Sequence, residues 1–270
     1  MEIIDDIDGW RRRFDAWKRS AGANRTDDVG ADYPFVKNRR APFNPARRAL
    51  PMLNLALISS AGAYIDGTDP FDLDATDGDI NFREIPVEVE AVDLRYAAKG
   101  YDPKSVLEDR NAQIPVDRLT EYQANAVIGQ LNSVWWSLSS WIPNARLVAD
   151  ELAPKLAARL HRYEVQAALL IPASRLCHQT LGLVARGIEE SGIPTMMISV
   201  DAAETDRVRP PRTGYYNGEF GSVAGKPNWR EYQLRVLDEA LRWTETFDQP
   251  AARKLAVDLE TEVEAARGER

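Results

Sequence analysis

Between Leu53 and Val200 the apolar positions come in short unbroken runs, separated by stretches where they recur at helical spacing. The runs LNLALIS from Leu53, VQAALLIP from Val165 and TMMISV from Thr195 to Val200 show no polar alternation. That is the pattern of parallel strands covered on both faces. INFREIP (Ile80 to Pro86), VEAVDLRYA (Val89 to Ala97) and AVIGQL (Ala126 to Leu131) predict shorter strands. Helical spacing predicts PVDRLTEYQANA from Pro115, with proline near its first turn, and then NARLVADELAPKLAARLHRY. A further helix, Gln179 to Glu190, is closed by Gly192 and Pro194. Two more are predicted at Arg230 to Phe247 and Ala251 to Arg267. Near the start, Trp10, Phe14 and Trp17 share one helical face, with Arg11, Arg12, Arg13 and Lys18 around them. Such a helix docks on the body of the protein or on a second subunit; a membrane-surface helix is the alternative.

The remaining stretches read as connections. Residues 21–51 are rich in Gly, Asn, Pro and Arg and predict an extended arm with apolar anchors. Ser60 to Tyr64 is a small-residue loop. NSVWWSLSSWIPN predicts a serine-rich loop exposing Trp135 and Trp136, with Trp141 close by. Residues 207–229 predict a long loop dense in Gly and Pro, of the kind that is functional or interfacial. Strand and helix alternate throughout the middle of the chain. The expected fold is therefore α/β, a doubly wound and mainly parallel sheet flanked by helices, with an N-terminal helix and extended arm. The organisation expected is 1–50 helix and arm, 51–247 α/β domain, and 248–270 charged C-terminal helix.

Charge and composition narrow the functions. A net charge of −8 argues against a general nucleic-acid binder, which needs a basic face. A single cysteine excludes an intrachain disulfide framework and a CxxC metal knuckle, and points to a reducing cytoplasm. No run of 18 apolar residues is present, so no membrane span is expected. The first twenty residues, acidic and then basic without an apolar centre, do not read as a secretory signal. The aspartate-rich stretch 66–79 lacks the closing glutamate of an EF-hand. It is a solvated acidic loop or, alternatively, a site for a cation or a substrate ammonium.

The densest chemistry lies in LLIPASRLCHQTLGLVARGIEESGIPT, Leu169 to Thr195, read as strand, tight loop, helix, turn and next strand. It holds the only cysteine, Cys177, and one of two histidines, His178. In open α/β sheets ligands bind outside the carboxyl ends of strands, where such loops converge. Cys177 falls just before or at the first turn of the helix. There the unpaired N–H groups and the helix dipole favour an anion and can lower a thiol's pKa. Ser174 caps that helix or serves as a hydroxyl nucleophile. The alternative is a buried inert cysteine and a capping serine.

Five blocks then follow one another between Leu53 and Leu241: LNLALISSAGAY, GDINFREIP, KGYDPKSVLEDRNAQIPVDRL, the cysteine loop with ARGIEESGIPT, and PPRTGYYNGEFGSVAGKPN. In their order and spacing the chain resembles the selenocysteine-containing B proteins of the glycine, sarcosine, betaine and D-proline reductases. Its length is nearest to the D-proline reductase branch. The resemblance implies a U-x-x-C-H loop after the strand, whose selenocysteine attacks a substrate activated by a pyruvoyl group on a partner subunit. Ser174 stands where selenocysteine would be, and Cys177 and His178 match the C-H. A serine hydroxyl is a far weaker nucleophile and forms no selenosulfide, so the redox couple is broken. Two further departures are Ala98 or Lys99, where relatives often carry histidine, and Ser137 to Trp141, which replaces a glycine-rich turn. The resemblance implies that Asp79, Arg83, Tyr101, Asp102, Asp109, Asn111 and Arg212 are retained around the site. Their alternative role is to hold loops by hydrogen bonds and Asx turns.

The expected function is a reductase-like protein without selenocysteine. It acts on a small amine- or carboxylate-bearing substrate through the Ser174–Cys177 loop, by reductive or eliminative bond cleavage. Cys177 is the thiolate, Ser174 or His178 assists, and Arg83 or Arg212 holds a carboxylate bidentately. No metal or cofactor of its own is expected. The first alternative is a non-catalytic subunit or ligand-binding protein, in a homo-oligomer or a hetero-oligomer. The second is a metal-assisted hydrolase built on the acidic loop with Mg²⁺ or Ca²⁺.

Overall fold

The unbroken apolar runs form the middle of one sheet. In the computed structural model, which describes residues 2–20 and 29–257, the order is α1 (Ile7–Ser20), β1 (Asn54–Ser59), β2 (Ala63–Ile65), β3 (Arg83–Pro86) and β4 (Leu94–Tyr96). There follow α2 (Lys104–Glu108), α3 (Val116–Ala124), β5 (Gln130–Leu131), β6 (Val134–Ser137), α4 (Ala145–Leu147), α5 (Ala153–Arg162) and β7 (Ala167–Ile171). The chain continues with α6 (Arg175–Glu190), β8 (Thr195–Ser199), α7 (Ala202–Val208), β9 (Arg212–Tyr215), α8 (Arg230–Thr246) and β10 (Ala251–Lys254). The sheet runs β10-β9-β8-β7-β1-β6-β3, with β5 also beside β1. Its neighbours are parallel except for β3, which runs antiparallel to β6. A separate antiparallel pair joins β2 to β4.

Both faces of the sheet are covered, which is why its strands need no polar alternation. Ala56, Ile58, Trp136, Leu170 and Met197 pack with α1, α5 and α6 on one face. Leu55, Leu57, Trp135, Leu169, Met196 and Ile198 pack with α3 and α8 on the other. The fold is thus the doubly wound α/β sheet that the sequence predicts. Trp10, Phe14 and Trp17 are buried against the body, as a docked amphipathic helix requires. The described part of the arm, from Val29, lies along the same chain: Gln179 accepts the Val36 N–H, and Asn44 binds Glu189.

Four local expectations are corrected. Trp135 and Trp136 are not in an exposed loop; they form β6 and are 1% and 0% exposed. Being an inner strand, β6 sends successive side chains into two different cores, so adjacent tryptophans are both hidden. Of AVIGQL only Gln130–Leu131 is strand, because Ala126 turns the chain in the left-handed region. The long 207–229 loop contains β9, parallel to β8. Helix does not begin at Ala251: Ala251–Lys254 pairs with β9 at the sheet edge. The rest of that expectation, residues 258–270, and positions 21–28 of the arm lie outside the described residues.

Candidate functional site

The chain finishes β6 on one side of β1 and crosses to β7 on the other, so the connections diverge around β1. A crevice opens at such a switch point, beyond the carboxyl ends of the strands. Here Ser60 follows β1, Ser139 and Ser140 follow β6, and Ser174 follows β7; all are buried. Cys177 sits among them, with its sulfur 3.5 Å from the Ser60 carbonyl and 3.4 Å from that of Ser140.

Ser174 is the N-cap of α6. Its backbone is extended and its hydroxyl accepts the Cys177 N–H at 3.1 Å, so the helix starts at Arg175 rather than Gln179. Cys177 is thereby in the first turn, as its spacing predicts. The lowered pKa expected from that position is not found. The thiol is 1% exposed, and burial pushes it up. The Ser174 and Ser60 hydroxyls and the N–H groups of Ala173 and Ser174 act in the opposite direction and do not outweigh the lost solvation.

His178 is equally buried. Its Nδ1 lies 2.7 Å from the Ser174 carbonyl, which can only accept, so Nδ1 carries the proton. Nε2 then accepts the Val200 N–H at 3.3 Å. Burial lowers its pKa to about 4 and keeps it neutral. Both ring nitrogens are engaged, Nδ1 with the N-cap of α6 and Nε2 with the residue after β8, which leaves neither to serve as a base for Cys177.

The other candidate residues divide by position. Tyr101 belongs to the site: its hydroxyl donates to the Ala61 carbonyl at 2.7 Å, and its half-buried ring packs against the core that holds Cys177. Asp102 is exposed beside it and accepts the Lys104 N–H. Asn111 is buried a layer further out, donating to Asp109 and Asp117. Asp109 in turn accepts from Gln233 and Asn228, and so fixes the 225–229 turn. Arg83 is level with Ser137 in the sheet, but its guanidinium pairs with Asp79 and stacks on Phe71. Arg212 is at the opposite, amino end of the strands. It is fully buried, paired with Glu189 at 2.7 Å, bonded to the Asn44 carbonyl and stacked on Phe43. A guanidinium so engaged has no fork left for a substrate carboxylate.

Ser60, Ser140, Gln113 and Phe220 were not anticipated. Gln113 bridges the Ile171 carbonyl and the Val223 N–H, locking the 220s segment against β7. The serines had a signal: a serine pair directly after each of two buried strands. The acidic loop binds itself, with Asp72 accepting from Asp74 and Ala75, and Asp79 from Asn81. Among the described residues no three His, Cys, Asp or Glu side chains gather as metal ligands would. Outside the crevice, an open cleft of about 900 Å³ is lined by Asp102, Lys104, Phe220, Lys226, Trp229 and Tyr232 among others.

A family model described as glycine/sarcosine/betaine reductase selenoprotein B matches residues 25–173, more than half of the chain. The chain belongs to this family. The matched stretch stops one residue before Ser174. The D-proline reductase subunit gamma of Acetoanaerobium sticklandii is 28% identical over 213 residues, 79% of this chain and 86% of that protein. The glycine reductase complex component B subunit gamma of Symbiobacterium thermophilum is 27% identical over 179 residues, covering 62% of this chain and 39% of its own length. The sarcosine reductase complex component B subunit beta of Peptoclostridium acidaminophilum is 23% identical over 177 residues, with the same shares, 62% and 39%. The chain therefore spans about two fifths of these two relatives. No solved structure matches it. No helix among the described residues is long and apolar enough to cross a membrane.

Proposed function

We propose that this chain is a component of a reductase complex like those its relatives are named for. It binds a small amine- or carboxylate-bearing substrate at the switch-point crevice and contributes Cys177 to bond cleavage. The observation that carries this reading is the convergence of three strand ends on one thiol, which donates to the Ser60 and Ser140 carbonyls and has the Ser60 and Ser174 hydroxyls and the Ala173 and Ser174 N–H groups beside it. The hydroxyls and N–H groups would favour a thiolate once the site is hydrated or charged by substrate. Ser174 serves in this reading as the helix cap rather than as the nucleophile, and the single cysteine provides no redox partner within the chain. Activation of the substrate falls to a partner subunit, where the family resemblance puts a pyruvoyl group.

A second reading, a non-catalytic binding subunit, is favoured by one observation: in this closed structure the thiol is buried with its pKa raised. Cys177→Ser separates the two. With partner subunits present, the first reading expects turnover to fall on the order of a hundredfold or more, with melting unchanged. Undiminished turnover establishes the binding subunit instead.

A further inference from the structure

Resting on the reading of Cys177 as the working thiol, we infer that the turn Asn217–Gly221 is a gate between the outer cleft and Cys177, with Phe220 as its moving plug. Three contacts join the cleft wall to the segments around Cys177. Phe220 lines the cleft and is 39% exposed, an unusual position for a phenylalanine. Its ring rests edge-on against His178, the residue next to the cysteine, with centroids 5.6 Å apart. Gly221 lies beneath, its N–H donating at 2.9 Å to the Ala173 carbonyl on the loop that carries Ser174 and Cys177. Tyr101 closes the floor against Ala61, next to Cys177.

The attachment of this turn is uneven. Tyr216 before it is buried, and Ser222 to Gly225 after it are buried, with Val223 and Ala224 held by bonds to Gln113 and the Ala112 carbonyl. The tip between them, Asn217 to Phe220, is mostly exposed. Glycine stands within the tip, at Gly218, and directly after it, at Gly221. Gly221 has φ +80° and sits so close to its neighbours that a Cβ would meet the Asp102 carbonyl at 2.6 Å and the Tyr101 ring at 2.8 Å. Segments with few buried contacts between fixed anchors open at low cost, and such hinges serve active-site lids. Swinging Phe220 off His178 and releasing the Gly221–Ala173 bond detaches the tip from the segment that carries Cys177. It also brings water and ligand to a thiol that the closed state keeps dormant.

The test is the rate of Cys177 alkylation by iodoacetamide in the native protein, which needs neither substrate nor partner. Phe220→Ala removes the plug, and Gly221→Ala wedges the turn away from Tyr101. Val92→Ala, an exposed apolar residue away from the cleft, is the control. The gate expects both gate variants to label about tenfold faster or more, with the control at the wild-type rate; Phe220→Ala keeps the wild-type melting temperature, while Gly221→Ala, strained at its positive φ, melts lower and is judged against its own global opening. Labelling that stays at the wild-type rate in both variants overturns it, as does acceleration only in step with global unfolding followed by hydrogen exchange. Because labelling does not depend on turnover, the gate stands or falls separately from Cys177→Ser. Fast labelling in Phe220→Ala together with full activity of Cys177→Ser keeps the gate and removes the proposed function.

Discussion

His178 shows how burial decides what a side chain does. Isolated in the sequence beside the only cysteine, it reads as an assisting base; in the fold it is a neutral clamp between the Ser174 carbonyl and the Val200 N–H. Keeping it neutral has a pH signature. Its folded pKa is about 4 against 6.5 when free, so between these values the unfolded chain takes up a proton that the folded chain does not. The stabilisation is complete above about pH 6.5 and is lost as pH falls through 4, by roughly 3 kcal/mol in all. His178→Asn removes that titration. The variant is expected to melt lower than wild type at pH 7.5, with the gap narrowing steadily towards pH 4.5; parallel melting curves would contradict this. The cap role of Ser174 and the first-turn place of Cys177 were legible from spacing, because both depend on neighbours within one helical turn. The engagement of His178 and Arg212 was not. Their partners come from β8 in one case, and from Glu189 and the arm in the other, and no local pattern encodes such pairings.

At the scale of elements, β1, β7 and β8 were readable because strands buried on both faces are apolar throughout. The same rule misled at β6, where adjacent tryptophans among serines resemble a loop until both covering layers are known. β9 and β10 escaped notice because they are short and carry arginine and glycine. What sets the spacing of α5 and α6 is also an unobtrusive residue. Gly187 is in the interior of α6, where alanine would ordinarily gain about 1 kcal/mol of helix propensity. A Cβ there would lie 2.6 Å from the Ala153 methyl and 3.2 Å from Ile3 Cδ1. A methyl fixed to a backbone cannot swing aside, so α5 and α6 would have to separate. Gly187→Ala is therefore expected to destabilise, by about 1–3 kcal/mol, against the sign of the propensity. Urea denaturation gives the answer, and a stabilised variant would mean the two helices slide apart freely.

The whole molecule is held closed by a strap rather than by the sheet alone. The N-terminal segment, the arm and the end of α7 are far apart in sequence, and one guanidinium gathers them. Arg186, inside α6 and 0% exposed, donates to the carbonyls of Ile3 and Arg209 at 2.8 and 3.1 Å, and to those of Glu2 and Arg40. Asp5 stands 3.6 Å away, and Asn38 links the same pieces by bonding the Ile3 and Val208 carbonyls. Burial lowers the pKa of Arg186 only to about 10, so it stays charged and the strap persists across physiological pH. Arg186→Met keeps the side chain's length and apolar stem but removes every donor. Four carbonyls then lose a donor, with only Ile3, among the described residues, keeping a second one from Asn38, Asp5 loses its counter-charge, and the cost is on the order of 3–5 kcal/mol. Where that cost appears tests the idea. If Arg186 gathers the strap, the arm detaches before the sheet unfolds, and trypsin cuts at the exposed Lys37, Arg39 and Arg40 under conditions where the wild-type arm resists and the α/β body is intact. If the urea midpoint drops but arm cleavage keeps the timing of global unfolding, Arg186 stabilises the body as a whole and the strap is not an independent unit.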